Sequence, residues 1–478
     1  MHAFPRHHVD ESGRDATIAH RLPRGGHRLG VATPTAIRSG QGSVPGRRSG
    51  QSAVLPTGSP LERVARTFQF SNEHLGNEGS LRPFEYHNPV RIVFGAGAFK
   101  RLGDEAAAIG NKALVVSYAD EPALTKSLQR GVQQLVDSGM QVTTFFQVQP
   151  NPEVQMVQRG VELARDIAAD CVIGIGGGSV MDTAKAIAAG VDYQGSDLWN
   201  MVNSRHDQDQ VVPPQSALPT LMVPTLAATG SEMNNCAVLS HRERGEKSYI
   251  WSDCLFPRTA ILDPRLTYTL PPLQTACGGV DTISHVMEIY LNGQDQSDLL
   301  HAWQEGLMRT VIENLPAALA DPRDRHAREE LMWCASCAIN GWASPGDPWT
   351  PMHQIGHVLT ARHQVNHATS LALVMPAWMD FFKTIKPERY FRLARRVMQV
   401  DPHRRTREQI IDQGIDAFRQ FVEQAGLPTR LSQVGITQDD LGPILDDVRR
   451  ISFNARGQLT CNPAVTEQQL TTILEKSL

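Results

Sequence analysis

From Asn88 to Asp263 short apolar runs alternate with longer stretches of helical periodicity, and this alternation restricts the fold more than any other feature. NPVRIVFGAGAF reads as a strand followed by a glycine turn. LVVSY at 114–118, VTTFFQV at 142–148 and CVIGI at 171–175 read as strands. Between them, TKSLQRGVQQLVDSG and PEVQMVQRGVELARDIAAD space their apolar residues as helices do, the second with Pro152 near its start. A glycine loop and the helix-like MDTAKAIAAG follow the third run, and TLMVP at 220–224 and TAILD at 259–263 add two more strands. Strands that alternate with helices predict a parallel sheet with helices on both faces.

Past Asp263-Pro264 the strand pattern almost vanishes. HAWQEGLMRTVIENLPAAL, ELMWCASCAINGW and IDAFRQFVEQAG all carry helical periodicity. A boundary is expected near 266–272, marked by Pro271-Pro272. It separates an α/β domain over 86–268 from an all-α domain over 269–478. Residues 1–85 are different material, rich in Arg, Gly, Ser, Pro and His and poor in apolar periodicity. Such a segment cannot bury enough apolar surface to fold, so a disordered extension is expected. Its Arg and Ser content is that of an organellar transit peptide, but Asp10, Glu11 and Asp15 interrupt it, and a dispensable tail fits better.

Composition removes several function classes. A net charge of -4 offers no basic surplus for nucleic acid or anionic lipid. No apolar run is long enough to span a bilayer. Seven cysteines in 478 residues form no disulfide framework, which points to a reducing cytoplasm. Cys334 and Cys337 form a C-x-x-C, but within an apolar helical run, where helix packing is the expected role.

Within the helical half, PMHQIGHVLTARHQVNHA holds His353, His357, His363 and His367. His353 and His357 are spaced to share one helix face, as are Asp281 and His285 in GVDTISHVMEIYL. Two such pairs in apolar helices are expected to build a metal site across a helix bundle. Asp281, His285, His353 and His367 offer one oxygen and three nitrogens, a set that suits Fe(II) or Zn(II) better than Mg or Ca. The protease motif is excluded, since Gln354 stands where its glutamate would be. His363 is given no role.

Gly176-Gly177-Gly178-Ser179 lies between a strand and a helix, where backbone N–H groups at a helix start can receive a phosphate. It matches neither the G-x-G-x-x-G fingerprint nor a Walker A loop. VPTLAATGSEMN at 223–234 forms a second polar loop, with hydroxyls on Thr225, Thr229 and Ser231. Both loops fall at the carboxyl ends of expected strands, where open α/β sheets bind ligands.

With NPVRIVFGAGA, GGGSVMDTAKAIA, PTLAATGSE, LDPRLTYTLPP, GVDTISHVMEIY and HQIGHVLTARHQVNHA, the chain resembles the iron-containing (group III) alcohol dehydrogenases over residues 86–478. Within that family it is most similar to the NADPH-dependent aldehyde reductase/butanol dehydrogenase type. The resemblance implies an α/β dinucleotide-binding domain, a helical metal domain and an active site in the cleft between them. It implies metal ligation by Asp281, His285, His353 and His367, and a proton-relay role for His357 near the nicotinamide. It implies cofactor contacts from Gly177, Gly178, Ser179 and Asp182, from Thr225, Leu226 and Thr229, and from Asn151 and Lys247. Family members are commonly dimers or larger, so a homo-oligomer is expected.

Two departures stand out. Ala368 follows the last implied ligand, where many members have glycine. Tyr118 stands where NAD-preferring members carry an aspartate, with Asp120 two residues on. Losing a carboxylate at that position lowers repulsion toward a 2′-phosphate, which favours NADP(H) over NAD(H). The expected activity is hydride transfer between NAD(P)(H) and a small aldehyde or primary alcohol. The alternative is a zinc enzyme of the same two-domain build, like the glycerol dehydrogenases or sugar-phosphate cyclising lyases.

Overall fold

The structure is a computed structural model that describes residues 84–478, except 196, 204–209, 294–296 and 346–349. The expected extension over 1–85 therefore lies almost wholly outside the described residues.

The first half is built on a parallel sheet. Its strands are β1 (Arg91–Phe94), β2 (Lys112–Tyr118), β3 (Gln141–Val148), β4 (Cys171–Gly176), β5 (Thr220–Pro224) and β8 (Thr259–Leu262), in the order β1-β8-β5-β4-β2-β3. Every pairing in it is parallel. Side chains alternate across the sheet as the pleat requires. Leu114, Val116, Val172 and Met222 share one core with Val157 and Val161 of α3 (Val154–Asp166) and with Met181 and Ile187 of α4 (Gly178–Asp192). Ala113, Val115, Ile173 and Leu221 face the other way, onto Leu102 of α1 (Leu102–Ala107) and Leu128 and Leu135 of α2 (Thr125–Asp137). Each buried Val or Leu contributes roughly 1.5–3 kcal/mol. The helices therefore cover both faces, as the alternation predicts.

The strand order places the ligand crevice. The chain leaves β2 toward β3 on one side, crosses back to β4, and then proceeds to β5 on the other side. The carboxyl ends of β2 and β4 thus flank a topological switch point, where doubly wound sheets take ligands. Tyr118 ends β2 and Gly176 ends β4.

An antiparallel hairpin, β6 (Cys236–His241) and β7 (Glu246–Trp251), stands apart from this sheet. The Ser240 N–H donates to the Pro152 carbonyl at 2.8 Å and pins the turn at 151–153 against the hairpin.

The second half is helical: α5 (Pro272–Asn292), α6 (Asp298–Ala320), α7 (Arg325–Ala338), α8 (Pro351–His363), α9 (His367–Phe382), α10 (Pro387–Arg396), α11 (Arg407–Gln424), α12 (Gln438–Ser452) and α13 (Glu467–Lys476). Prolines at the first positions of α5 and α8 cost no hydrogen bond there. Asn366 caps α9, and Thr406 and Thr466 form capping boxes on α11 and α13. One apolar core joins these helices, with Trp378, Phe418, Leu371 and Val280 fully buried in it. Cys334 and Cys337 lie on α7 as free, buried thiols. No helix among the described residues is long and apolar enough to cross a membrane.

Candidate metal centre

Helix geometry turns the spacing of Asp281 and His285 into a common face on α5, and both side chains are buried. His353 and His357 do the same on α8, and His367 is the first residue of α9. Packing of these helices brings donor atoms of Asp281, His285 and His353 within 4.8 Å of one another. His367 joins them: its Nε2 lies 3.6 Å from Asp281 Oδ1, and its ring centre lies 5.3 Å from that of His353. The rings of His285 and His353 stack with centres 4.8 Å apart. His357 sits behind, 5.5 Å from His367 and 6.3 Å from His353 between ring centres. His363, at the end of α8, is only partly buried and stands outside the cluster that these contacts define.

The chemistry of these donors fits a cation. Asp281 Oδ1, His285 Nδ1, His353 Nε2 and His367 Nδ1 are buried without a hydrogen-bond partner. Orphaned polar atoms are rare in folded proteins, and the convergence of Asp281, His285 and His353 calls for an electrophile. Burial pushes His285, His357 and His367 well below the usual imidazole range, and neighbouring histidines or Lys247 add to the effect. Neutral imidazoles are the form that binds metal. His353 goes the other way: burial lowers it, but Glu288 beside Nδ1 outweighs burial and raises it. Burial drives Asp281 up to about 6, against the pull of His353 and Lys247. Asp281, His285 and His353 make a three-ligand Asp/His/His site for a divalent metal such as Fe or Zn.

The glycine loop lies at the switch point. Gly177 is the residue before α4 and Gly178 its first residue, so free N–H groups of the first turn face the crevice. The Tyr118 hydroxyl, at the end of β2, packs against Gly177: a Cβ there would stand 2.7 Å from it. Burial of that phenol pushes it up to about 12. Gly178 is required by close approach: a Cβ there would stand 2.5 Å from Thr229 Cγ2 of the second loop. Ser179 is half-buried, and Thr225 begins the second loop with its N–H on the Gly176 carbonyl at 3.0 Å. The two loops are therefore one surface, with Leu226 and Thr229 partly exposed on it. Asp182 faces inward, accepting from Ser231 Oγ at 2.6 Å and from the Val238 N–H at 3.1 Å. It ties α4 to the second loop and to the hairpin.

Sheet and helical halves meet at these loops. Gly278 lets α5 seat on the second loop, since a Cβ there would be 2.2 Å from the Ala227 carbonyl oxygen. Thr282 Oγ1 donates to the Ala228 carbonyl at 3.3 Å, one residue beyond Asp281. Lys247 on β7 completes the link. Its ammonium donates to Asn151 Oδ1 at 2.9 Å, and Asn151 holds a left-handed backbone (φ 56°) in the turn that the hairpin pins. Burial pushes Lys247 down to about 8, while Asp182 and Asp281 pull it back. One cation thus feels both the glycine-loop aspartate and the metal-site aspartate. Asn151 and Lys247 lie far apart in the sequence, and only the hairpin brings them together. Glu288 was not among the expected site residues; its sole mark in the sequence is a place three residues after His285 on the same helix.

Comparison with known proteins agrees with this geometry. Residues 89–264 match the family model "Iron-containing alcohol dehydrogenase", and residues 275–478 match "Fe-containing alcohol dehydrogenase family, C-terminal". The chain is 35% identical to "Probable NADH-dependent butanol dehydrogenase 1" of Bacillus subtilis, covering 83% of this chain and 100% of that protein. It is 34% identical to the "NADPH-dependent aldehyde reductase YqhD" of Escherichia coli, covering 79% of this chain and 96% of that one. The crystal structure of NADH-dependent butanol dehydrogenase A from Thermotoga maritima superposes with a TM-score of 0.77 at 32% identity, covering 84% of this chain and 100% of that one. The chain belongs to the iron-containing alcohol dehydrogenase family. It is a metal-dependent, NAD(P)(H)-linked oxidoreductase that interconverts aldehydes and alcohols.

Proposed function

We propose that this enzyme reduces small aldehydes to primary alcohols, with NADP(H) preferred over NAD(H) and a dinucleotide-binding domain over 86–268 set against a metal-binding domain over 269–478. The observation that carries the site assignment is the set of unpartnered buried donors on Asp281, His285, His353 and His367, lying beside the Lys247–Asn151 pair. These four side chains would hold Fe(II) or Zn(II). The start of α4, with Gly177, Gly178 and Ser179, would receive the pyrophosphate, and Thr225, Leu226 and Thr229 would line its second side. Asp182 would keep the two loops in register through Ser231.

When bound, the cation supplies a Lewis acid beside the carbonyl and the nicotinamide supplies the hydride. Lys247 and Asn151 would orient the cofactor between the loops and the metal ligands. His357 is buried and held neutral, so a ring nitrogen can accept the hydroxyl proton in the oxidising direction and return it in reduction. The tight seating of α5 on the second loop would keep water from the reacting centre.

Tyr118 rather than a carboxylate ends β2, which supports NADP(H), while exposed Asp120 and Glu121 oppose it. Seven free cysteines support a reducing cytoplasm as the site of action. A homo-oligomer is supported by an exposed aromatic pair, Phe94 on the edge strand β1 and Trp333 on α7, with ring centres 5.7 Å apart. Light scattering on the purified protein tests the last point.

The deciding assay loads the protein with Fe(II) or Zn(II) and follows NADPH and NADH oxidation on a panel of aldehydes. Turnover is expected with short aldehydes and a higher kcat/KM for NADPH. No oxidation of either nucleotide with any aldehyde would sink the activity. Equal or better use of NADH would overturn the cofactor preference alone.

A further inference from the structure

A second acidic side chain on α5 points at the metal cluster. Glu288 follows Asp281 and His285 at helical spacing, and it is 0% exposed. Burying an ionised carboxylate costs several kcal/mol unless its oxygens are well partnered. Both oxygens are spent on α8. Oε1 accepts the backbone N–H groups of Met352 and His353, the second at 3.1 Å. Oε2 bonds His353 Nδ1. Thr350, the residue before α8, makes no side-chain cap of its own. The start of α8 is therefore capped by a side chain from another helix, and the same side chain grips the first histidine of α8.

We infer that Glu288 is a positioning residue for the metal centre: it fixes His353 in the tautomer protonated at Nδ1 and so presents Nε2 to the cation. A neutral imidazole has one N–H and one lone pair, and an ionised carboxylate only accepts. With Nδ1–H committed to Oε2, the lone pair must sit on Nε2. That atom is buried and has no partner. The stacked His285 ring, 17° from parallel, resists rotation of His353 away from this pose. Carboxylates bonded to a ligating histidine also raise its basicity toward the metal. One face of α5 thus supplies two ligands and orients a third on a different helix. This inference rests on the metal-centre assignment above.

The test is Glu288→Gln. The side chain keeps its size, but it has one acceptor and one amide donor for partners that need two acceptors. If the oxygen stays on the backbone N–H groups, the amide faces Nδ1 and drives the proton to Nε2, which then cannot ligate. Zinc affinity, measured by competition with a chromophoric chelator, is expected to weaken about 10- to 100-fold. The Co(II)-loaded variant should show altered visible absorption bands. In a His353→Ala background the same change should alter zinc affinity less than about twofold, because its effect runs through His353. An unchanged affinity in E288Q, or an equal loss with and without His353, overturns the role. Should E288Q not fold, 15N-histidine spectra of the zinc-loaded wild type decide: metal on Nε2 with Nδ1 protonated supports the inference, and metal on Nδ1 overturns it. Failure of the wild-type apoprotein to bind Zn(II), Fe(II) or Co(II) would instead remove the metal centre itself.

Discussion

Two buried polar clusters lie at the meeting of sheet and helices, and they are completed in opposite ways. Under the glycine loop, Lys185 is fully buried, yet its ammonium donates to Asn234 O at 3.0 Å, Asn234 Oδ1 at 2.9 Å and Cys236 O at 2.7 Å. Asp182 has Ser231 and Val238, and Glu232 accepts from Ser336 Oγ on α7 at 2.5 Å. At the metal cluster the pattern reverses, with one oxygen and three ring nitrogens left bare. A buried polar cluster that satisfies itself is scaffold, because its groups have nothing left to offer. A cluster that leaves converging lone pairs unpaired is a site, because only a bound electrophile repays its burial. Lys247 belongs partly to each, bonded to Asn151 while sensing Asp281.

The sharpest way to break this contrast is His353→Ala or Asp281→Ala. Either should lower turnover on the order of 10³-fold, equivalent to roughly 4 kcal/mol of lost charge stabilisation, with cofactor binding nearly intact. Metal analysis and nucleotide titration on the same preparation check it. Substantial turnover in a metal-free variant would make the bare donors irrelevant.

Lys185→Met attacks the other cluster. It strands three acceptors and the buried Asp182, so unfolding of the apoprotein in denaturant should show a loss of about 3 kcal/mol. Zinc affinity should stay as in the wild type. A variant that folds normally but loses metal would erase the distinction between scaffold and site.

A smaller effect is expected from Gly178→Ala. The new methyl meets Thr229 Cγ2 at 2.5 Å and forces the two loops apart. Cofactor KM should rise about tenfold, roughly 1.4 kcal/mol, without a change in metal content. Steady-state kinetics at saturating aldehyde would read it.

The smallest prediction concerns pH. Burial pushes Lys185 down to about 8, with Asp182 pulling partly back. An unfolded lysine titrates near 10.4, so between those values the unfolded chain binds more protons and this group makes stability rise with pH, by at most about 1.4 kcal/mol per unit. Tyrosines and cysteines titrate there too, so the quantity to measure is the wild-type slope minus that of Lys185→Met. Equal slopes from pH 8 to 10 would place the ammonium in a solvated setting.

Much of this was legible in the residues. The strands of the main sheet announced themselves because a strand buried on both faces must be almost wholly apolar, as CVIGI and TLMVP are. The Asp281–His285 pair was legible because a helix puts positions four apart on one face whatever surrounds it. The β6–β7 hairpin was missed, since CAVLSH and EKSYIW mix polar and apolar residues and are joined by charged ones. The resemblance implies a cofactor contact from Asp182, and its inward bonds to Ser231 and Val238 depend on a loop and a hairpin far along the chain.

By itself, then, the sequence determined periodicity: which segments are strands, which are helices, and which histidines and aspartates share a face. Tertiary structure alone decided which faces meet, that Lys247 reaches Asn151, and that Glu288 turns a ring nitrogen of His353 toward the cluster. The reason is range. Backbone geometry fixes neighbours three and four residues apart, whereas convergence, tautomer and hydrogen-bond satisfaction depend on groups that only packing brings within about 3 Å of each other.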